Sequence, residues 1–220
     1  MSTGRPPAAL FDVDGTLMDT NYHHTIAWSR AFRRYGLTPP LWRIHRAIGM
    51  GGDHLVTEVA GADVEERLGD ELRSAWSQEY APLLGEVQPF EGARELLWQV
   101  KQRGHAVVLA SSAPQDHLDH YIELLGAADL LDAVTSADDA ERTKPEPDLV
   151  TVAVEQAGGG LAIMIGDSTW DAIAAQKVDV ATIAVRTGGF STEELRTVGA
   201  IAVYESLVDL ASDLDDTALA

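Results

Sequence analysis

Apolar and polar residues fall along this chain in blocks that switch between two periods. Residues 8–13 (AALFDV) form a short apolar run that stops at Asp-Gly, the pattern of a strand buried on both faces. Similar runs recur at 105–111 (HAVVLAS), 132–136 (DAVTS), 161–166 (LAIMIG) and 180–185 (VATIAV). Between them the apolar spacing shifts to three and four. In 91–104, Ala93, Leu96, Leu97 and Val100 share one helical face and Gly104 ends it. Segments 114–126 and 147–159 each open on a proline and close on a glycine, as helices do. Strands alternating with helices predict a parallel sheet with right-handed crossovers.

One gap breaks this rhythm. Residues 19–88 separate the first two strand runs, a stretch too long for one crossover helix. Asp19 or Thr20 is placed to cap a helix reaching Tyr35, which Gly36 stops. Pro39 and Pro40 open another helix, the loop GMGGD at 49–53 breaks the chain, and Asp53 is placed to cap a third. Residues 63–84 supply one or two more. The expected organisation is an α/β core made of 1–18 and 89–220, with a small helical cap domain, 19–88, inserted into it.

Composition narrows the possibilities. The 220 residues are 45% hydrophobic, enough for one α/β domain and a modest insertion. There is no cysteine, which excludes disulfides, thiol nucleophiles and thiolate metal sites. The start of the chain lacks the apolar run of a signal peptide, and no stretch reaches membrane-spanning length. A soluble cytoplasmic protein is expected, as a monomer with a dimer left open. A net charge of -19 repels nucleic acid and anionic membranes, so neither is expected as a partner. Charge is uneven, however. Between Asp19 and Asp53 there is no acidic residue, while Arg30, Arg33, Arg34, Arg43 and Arg46 accompany His23, His24 and His45. Either these cations pair with Glu58, Asp63, Glu65, Glu66, Asp70 and Glu71 farther on, or they draw in an anionic substrate.

Four short motifs fall at the carboxyl ends of expected strands, where open parallel sheets bind ligands. In DVDGT, Asp12 and Asp14 are two apart on an extended backbone and so face one way. A hard cation such as Mg²⁺ would make their closeness tolerable, although Asp-Gly after a strand is also an ordinary turn. In LASSA, Ser111 and Ser112 carry hydroxyls that suit a phosphoryl oxygen or merely a turn. Lys144, one of three lysines in the chain, sits between Thr143 and Pro145 in a stiffened loop and suits a phosphoryl dianion or plain solvent. In GDSTWD, Asp167 and Asp171 are one helical turn apart, so both carboxylates can reach one spot, while Asp167 or Ser168 could instead cap the next helix.

Together, FDVDGTLMDT, LASS, TKPEPD and GDSTWD resemble in order the four signatures of the haloacid dehalogenase-like hydrolase superfamily. The helical insertion is similar to the cap of its phosphoglycolate phosphatase and β-phosphoglucomutase branch. The resemblance implies a Rossmann-like α/β core and a Mg²⁺-dependent phosphatase acting on a small phosphorylated metabolite, phosphoglycolate- or sugar-phosphate-like. It implies Asp12 as nucleophile, forming a phosphoaspartate, and Asp14 as general acid and base. It further implies Mg²⁺ held by Asp12, the Asp14 carbonyl and Asp167, with Asp171 behind, and phosphate held by Ser111, Ser112 and Lys144. His24, on the first inserted helix, is expected to face the site or to stay a partly exposed helix histidine. The backbone N–H groups of Gly49, Met50, Gly51 and Gly52 are expected to meet substrate or simply to break two helices. A phosphoryl mutase is the alternative, although such mutases carry an arginine where this loop has glycines. A dehalogenase needs no metal and fits poorly with both Asp14 and Asp167 in place. A non-catalytic binding module would be marked by loss of a motif carboxylate, and none is lost.

Overall fold

Strand β1 (Ala8–Phe11) is buried along its whole length and pairs in parallel on both sides. The structure is a computed structural model that describes residues 7–220. β1 lies between β2 (Val107–Ala110) and β4 (Ala162–Gly166), with Ala9 opposite Val107 on one side and Ile163 on the other. With β3 (Ala133–Thr135), β5 (Ala181–Val185) and β6 (Ala200–Tyr204), the parallel sheet runs 3-2-1-4-5-6. This is the doubly wound order, and the chain reverses its direction of winding at β1.

The continuous apolar runs have a simple cause, because each face of the sheet buries alternate residues. Ala9, Phe11, Leu109 and Ile165 point to one side, against α5 (Ala93–Gln102), α6 (Gln115–Leu125) and α10 (Leu207–Ser212). Ala8, Leu10, Val108 and Met164 point to the other, against α7 (Asp148–Gln156) and α8 (Thr169–Gln176). The short α9 (Thr192–Thr197) precedes β6. β6 escapes the sequence pattern: it is an edge strand with Ile201 59% exposed, and its ladder slips beside Thr182 and Ile183.

Between β1 and β2 the chain forms α1 (Asn21–Arg34), α2 (Leu41–Ala47), α3 (Gly52–Ala60) and α4 (Ala62–Tyr80), followed by a 3-10 turn. These helices bury a core of their own, centred on Trp28, Phe32, Ile44, Leu55, Val56 and Leu72. Residues 63–84 thus become one long helix and a turn. Two capping expectations are corrected. Asp19 is exposed, and Thr20, at the N-cap with a helical backbone, makes no side-chain cap bond, its hydroxyl being turned to donate to Asp14 Oδ1 at 2.8 Å. Asp53 lies inside the first turn of α3, after the N-cap Gly51, and accepts the Thr143 hydroxyl at 2.5 Å. Among the described residues, no helix is long and apolar enough to cross a membrane.

The basic half of the insertion divides its partners. Arg30 and Arg34 both reach Glu79 on α4. Arg43 donates to the Glu58 carbonyl at 3.0 Å, and Arg46 pairs with Glu194 on α9 while its guanidinium covers the Phe190 ring. Of the acids expected as partners, Glu65 and Asp70 bind Arg73 instead.

Candidate active site

The loops after β1, β2 and β4 leave the sheet at the same edge. β1 is central, so Asp12 and Asp14 emerge between the groups that follow β2 and β4. Asp12 is 4% exposed. Gly15, at φ +82°, turns the chain sharply beyond it. The Thr16 hydroxyl, lying between Asp12 Oδ2 at 3.1 Å and Asp167 Oδ1 at 2.9 Å, ties the first loop to the fourth. Asn21, the first residue of α1, donates to Asp167 Oδ2 at 2.9 Å. Gly188 gives that carboxylate its room: a Cβ there would lie 1.8 Å from Asp167 Oδ2.

Asp12, Asp167 and Asp171 form one buried cluster, with an oxygen of each within 4.8 Å of the others. The Lys144 ammonium lies beside them, 2.5 Å from Asp12 Oδ1, 2.8 Å from Asp171 Oδ1 and 2.9 Å from the Ala110 carbonyl. Hydrogen bonds to Asp12 and the Ala110 carbonyl and an ion pair with Asp171 surround this fully buried ammonium. In this arrangement Lys144 grips the carboxylates rather than facing the open cavity. Ser168 caps α8 in a reciprocal box with Asp171, so capping and clustering coexist there. Asp167 is left free of the cap.

Three carboxylates against one ammonium leave two negative charges uncompensated. Burial pushes the Asp12 carboxyl up to about 7, against the pull of Lys144, with Asp171 adding to the rise. Burial, then Asp12 and Asp171, raise the Asp167 carboxyl well above the usual range, although Asn21 and Thr16 oppose this. A donor set of crowded, oxygen-only, under-neutralised carboxylates fits a hard divalent cation. The Asp14 side chain stands outside this cluster.

Asp14 is set apart by its neighbours. Its Oδ1 accepts Thr20 at 2.8 Å and meets His24 Nε2 at 2.9 Å, and its Oδ2 is 3.5 Å from the Ser111 hydroxyl. Burial raises this carboxyl, but the charge and hydrogen bond of His24, with Thr20 and His117, outweigh it and hold the group below the usual range. His24 itself is buried, stacked on Tyr80 at 4.1 Å and 11°. Ser111 is fully buried, accepts from the Ala113 N–H at 3.0 Å and shapes its own loop. Ser112 has a buried hydroxyl with no protein partner among the described residues. Asp12, Asp14, His24 and Ser112 line a cavity of about 350 Å³ between the sheet edge and the inserted helices. Gly49, Met50 and Gly52 line it too, but the Gly51 N–H donates to the Lys144 carbonyl at 3.3 Å.

Residues 9–185 match the family model described as haloacid dehalogenase-like hydrolase. The chain is a haloacid dehalogenase-like hydrolase. Relatives of this hydrolase include a validoxylamine A 7'-phosphate phosphatase of Streptomyces hygroscopicus subsp. limoneus, 28% identical over 81% of this chain and 85% of that one. A phosphoglycolate phosphatase of Caulobacter vibrioides is 30% identical over 91% of this chain and 87% of the relative. Among solved structures, a hydrolase from Pseudomonas syringae superposes with a TM-score of 0.89 at 29% identity, covering 96% of this chain and 98% of the other.

Several residues of the hydrolase's site escaped the motif reading: Thr16, Asn21, Trp28, Arg73, Trp76 and Tyr80. Spacing carried part of the signal. His24, Trp28 and Phe32 recur every four residues on α1, as do Trp76 and Tyr80 on α4, so each set shares a face. That the two faces meet at the cavity is a matter of helix packing.

Proposed function

We propose that this hydrolase, a phosphomonoesterase like the phosphatases it resembles, cleaves a small phosphate ester by way of a phosphoaspartate on Asp12 and with Mg²⁺ as cofactor. The reading is carried by Asp12: a nearly buried carboxylate that opens onto the cavity, clasped by Lys144. A carboxylate oxygen of Asp12 forms the bond to phosphorus while the ester oxygen departs with its bonding electrons. That oxygen takes a proton held by the Asp14–His24 pair, since the low-lying Asp14 carboxyl alone is a poor store for it. Water then attacks the phosphoaspartate and returns a proton to Asp14, which frees Asp12 and releases phosphate. Lys144 favours the ionised form of Asp12 against the effect of burial in the first step and stabilises it as the leaving group of the second. Ser112, with its free hydroxyl, and Ser111 hold phosphoryl oxygens.

Asp12, Asp167, the Asp14 carbonyl and, behind them, Asp171 would hold Mg²⁺. The ion would neutralise charge gathering on the phosphoryl group. Residues 19–88 act as the cap over the site, excluding bulk water. The enzyme works in the cytoplasm without a nucleic acid or membrane partner.

The test is phosphate release from p-nitrophenyl phosphate and a broad panel of phosphate monoesters, with and without Mg²⁺ and with Asp12→Asn as control. Mg²⁺-dependent release by wild type alone is expected. No Mg²⁺-dependent release from any ester would sink the proposal.

A further inference from the structure

Away from the carboxylates the cavity changes character. Its wall there is built chiefly from Trp28, Ile48, Met50, Leu55, Trp76 and Pro114. The two indoles stack with centroids 5.5 Å apart and 17° between planes, and Trp76 in turn lies 5.6 Å from the His24 ring. An aromatic series therefore runs from the His24–Asp14 contact to Trp76 and Trp28 on the cavity wall. Rings already packed on one another lose little further freedom when a ligand lies against them.

The charges on this side are already matched. Arg73 is the only arginine or lysine lining the cavity among the described residues. It donates to both Glu65 oxygens at 2.8 and 3.0 Å and to Asp70 at 2.8 Å. Two carboxylates around one guanidinium leave no positive field for a substrate carboxylate. Asp53, whose Oδ1 accepts the neutral Thr143 hydroxyl, adds a further negative charge. A carboxylate entering here would lose its hydration without gaining a free cation.

We infer that the leaving alcohol of the substrate carries an apolar, ring-bearing body and no carboxylate. The inference rests on the phosphatase reading above and narrows it. It speaks against the carboxylate of phosphoglycolate and the hydroxyl-rich body of a sugar phosphate, and for an aromatic or alicyclic ring laid against Trp28 and Trp76.

Steady-state kinetics with Mg²⁺ on propyl phosphate, 3-phenylpropyl phosphate, phosphoglycolate and glucose 6-phosphate test it. The first two release alcohols of similar basicity, so their difference reports the ring. The expected kcat/KM for the phenylpropyl ester exceeds that for propyl phosphate by about 10- to 100-fold and exceeds both remaining esters. Trp76→Leu should collapse that ratio towards one. Glu65→Gln combined with Asp70→Asn, which frees Arg73, should raise turnover of phosphoglycolate relative to propyl phosphate. If Trp76→Leu does not fold, the wild-type ratios and the acid-to-amide variant decide. Equal rates for the propyl and phenylpropyl esters, or a preference for phosphoglycolate or glucose 6-phosphate, overturn the inference and leave the phosphatase reading standing. No turnover of any ester, p-nitrophenyl phosphate included, overturns that reading and the inference with it.

Discussion

The two ends of the cavity are held together by opposite means. At the sheet edge, Asp12, Asp167, Asp171 and Lys144 crowd into a space nearly closed to water, and their geometry comes from the segments that follow the parallel strands β1, β3 and β4 at the same end of the sheet. At the helical end, Trp28, Trp76 and Leu55 gather through packing between helices, and the one guanidinium is neutralised before a ligand arrives. The first end stores electrostatic conflict, and the second has almost none. In the proposed mechanism the charged cluster serves chemistry, because a reacting phosphoryl group and a cation would relieve the conflict. An apolar wall serves selection because it offers area and shape.

The largest effect that would test this contrast is at Asp12, the proposed nucleophile. Asp12→Asn keeps the shape and removes one buried charge, so the fold should persist while kcat falls on the order of 10⁴-fold or more. A phosphate-release assay beside a circular dichroism spectrum checks both halves of that statement. Residual activity within tenfold of wild type would break the assignment.

Lys144→Met should come next and should strike stability as well. It leaves Asp12 and Asp171 buried without their cation, a loss of about 3–5 kcal/mol for an orphaned buried pair. Urea denaturation measures it, and a loss below about 1 kcal/mol would mean that the cluster relaxes far more than these contacts suggest.

A smaller effect links protons to the cation. Without metal, burial raises Asp12 from an ordinary 3.8 to about 7, so the folded protein keeps a proton that the unfolded chain releases. Its contribution to stability therefore falls as pH rises from about 4 to about 7. A divalent cation must displace that proton, so Mg²⁺ should raise the melting temperature more at about pH 8 than at about pH 5. Equal shifts at both values would separate the cation from Asp12.

The smallest effect sharpens the comparison by exclusion. Arg43 and Arg46 lie outside the cavity lined by Asp12 and Asp14, against Glu58, Glu194 and Phe190. Arg43→Ala should leave KM unchanged within error. Arg46→Ala should cost at most about 1 kcal/mol of stability, with a similarly unmoved KM. A rise of tenfold in KM for either variant would restore substrate steering by the basic half of the insertion.

The sheet end was readable in advance for a reason that particular residues make plain. Asp12 and Asp14 sit two residues apart immediately after a fully apolar strand, and Asp167 follows another. The parallel order then brings those strand ends together. Where reading fell short, a local rule met a tertiary competitor. Thr20 was legible as a helix cap, whose oxygen would accept a backbone N–H, yet its side chain is turned to donate to the Asp14 carboxylate in a charge-assisted bond. Lys144 was legible as a cation near the site, but its contacts with Asp12, Asp171 and the Ala110 carbonyl join residues far apart in sequence. β6 was hidden because an edge strand buries only part of its length.

The chain's own pattern determined the α/β architecture, the presence of a helical insertion and the family, since each depends on periodicities and motifs that lie within short stretches. Tertiary structure alone decided which ring meets which, that Arg73 is neutralised, and that His24 faces Asp14. Those facts depend on residues far apart in sequence, such as Trp28 with Trp76, or Asp12 with Lys144 across 132 positions. No local propensity encodes such pairings. They arise when helices and strands pack to bury apolar surface, and the charged groups caught between them must then find partners.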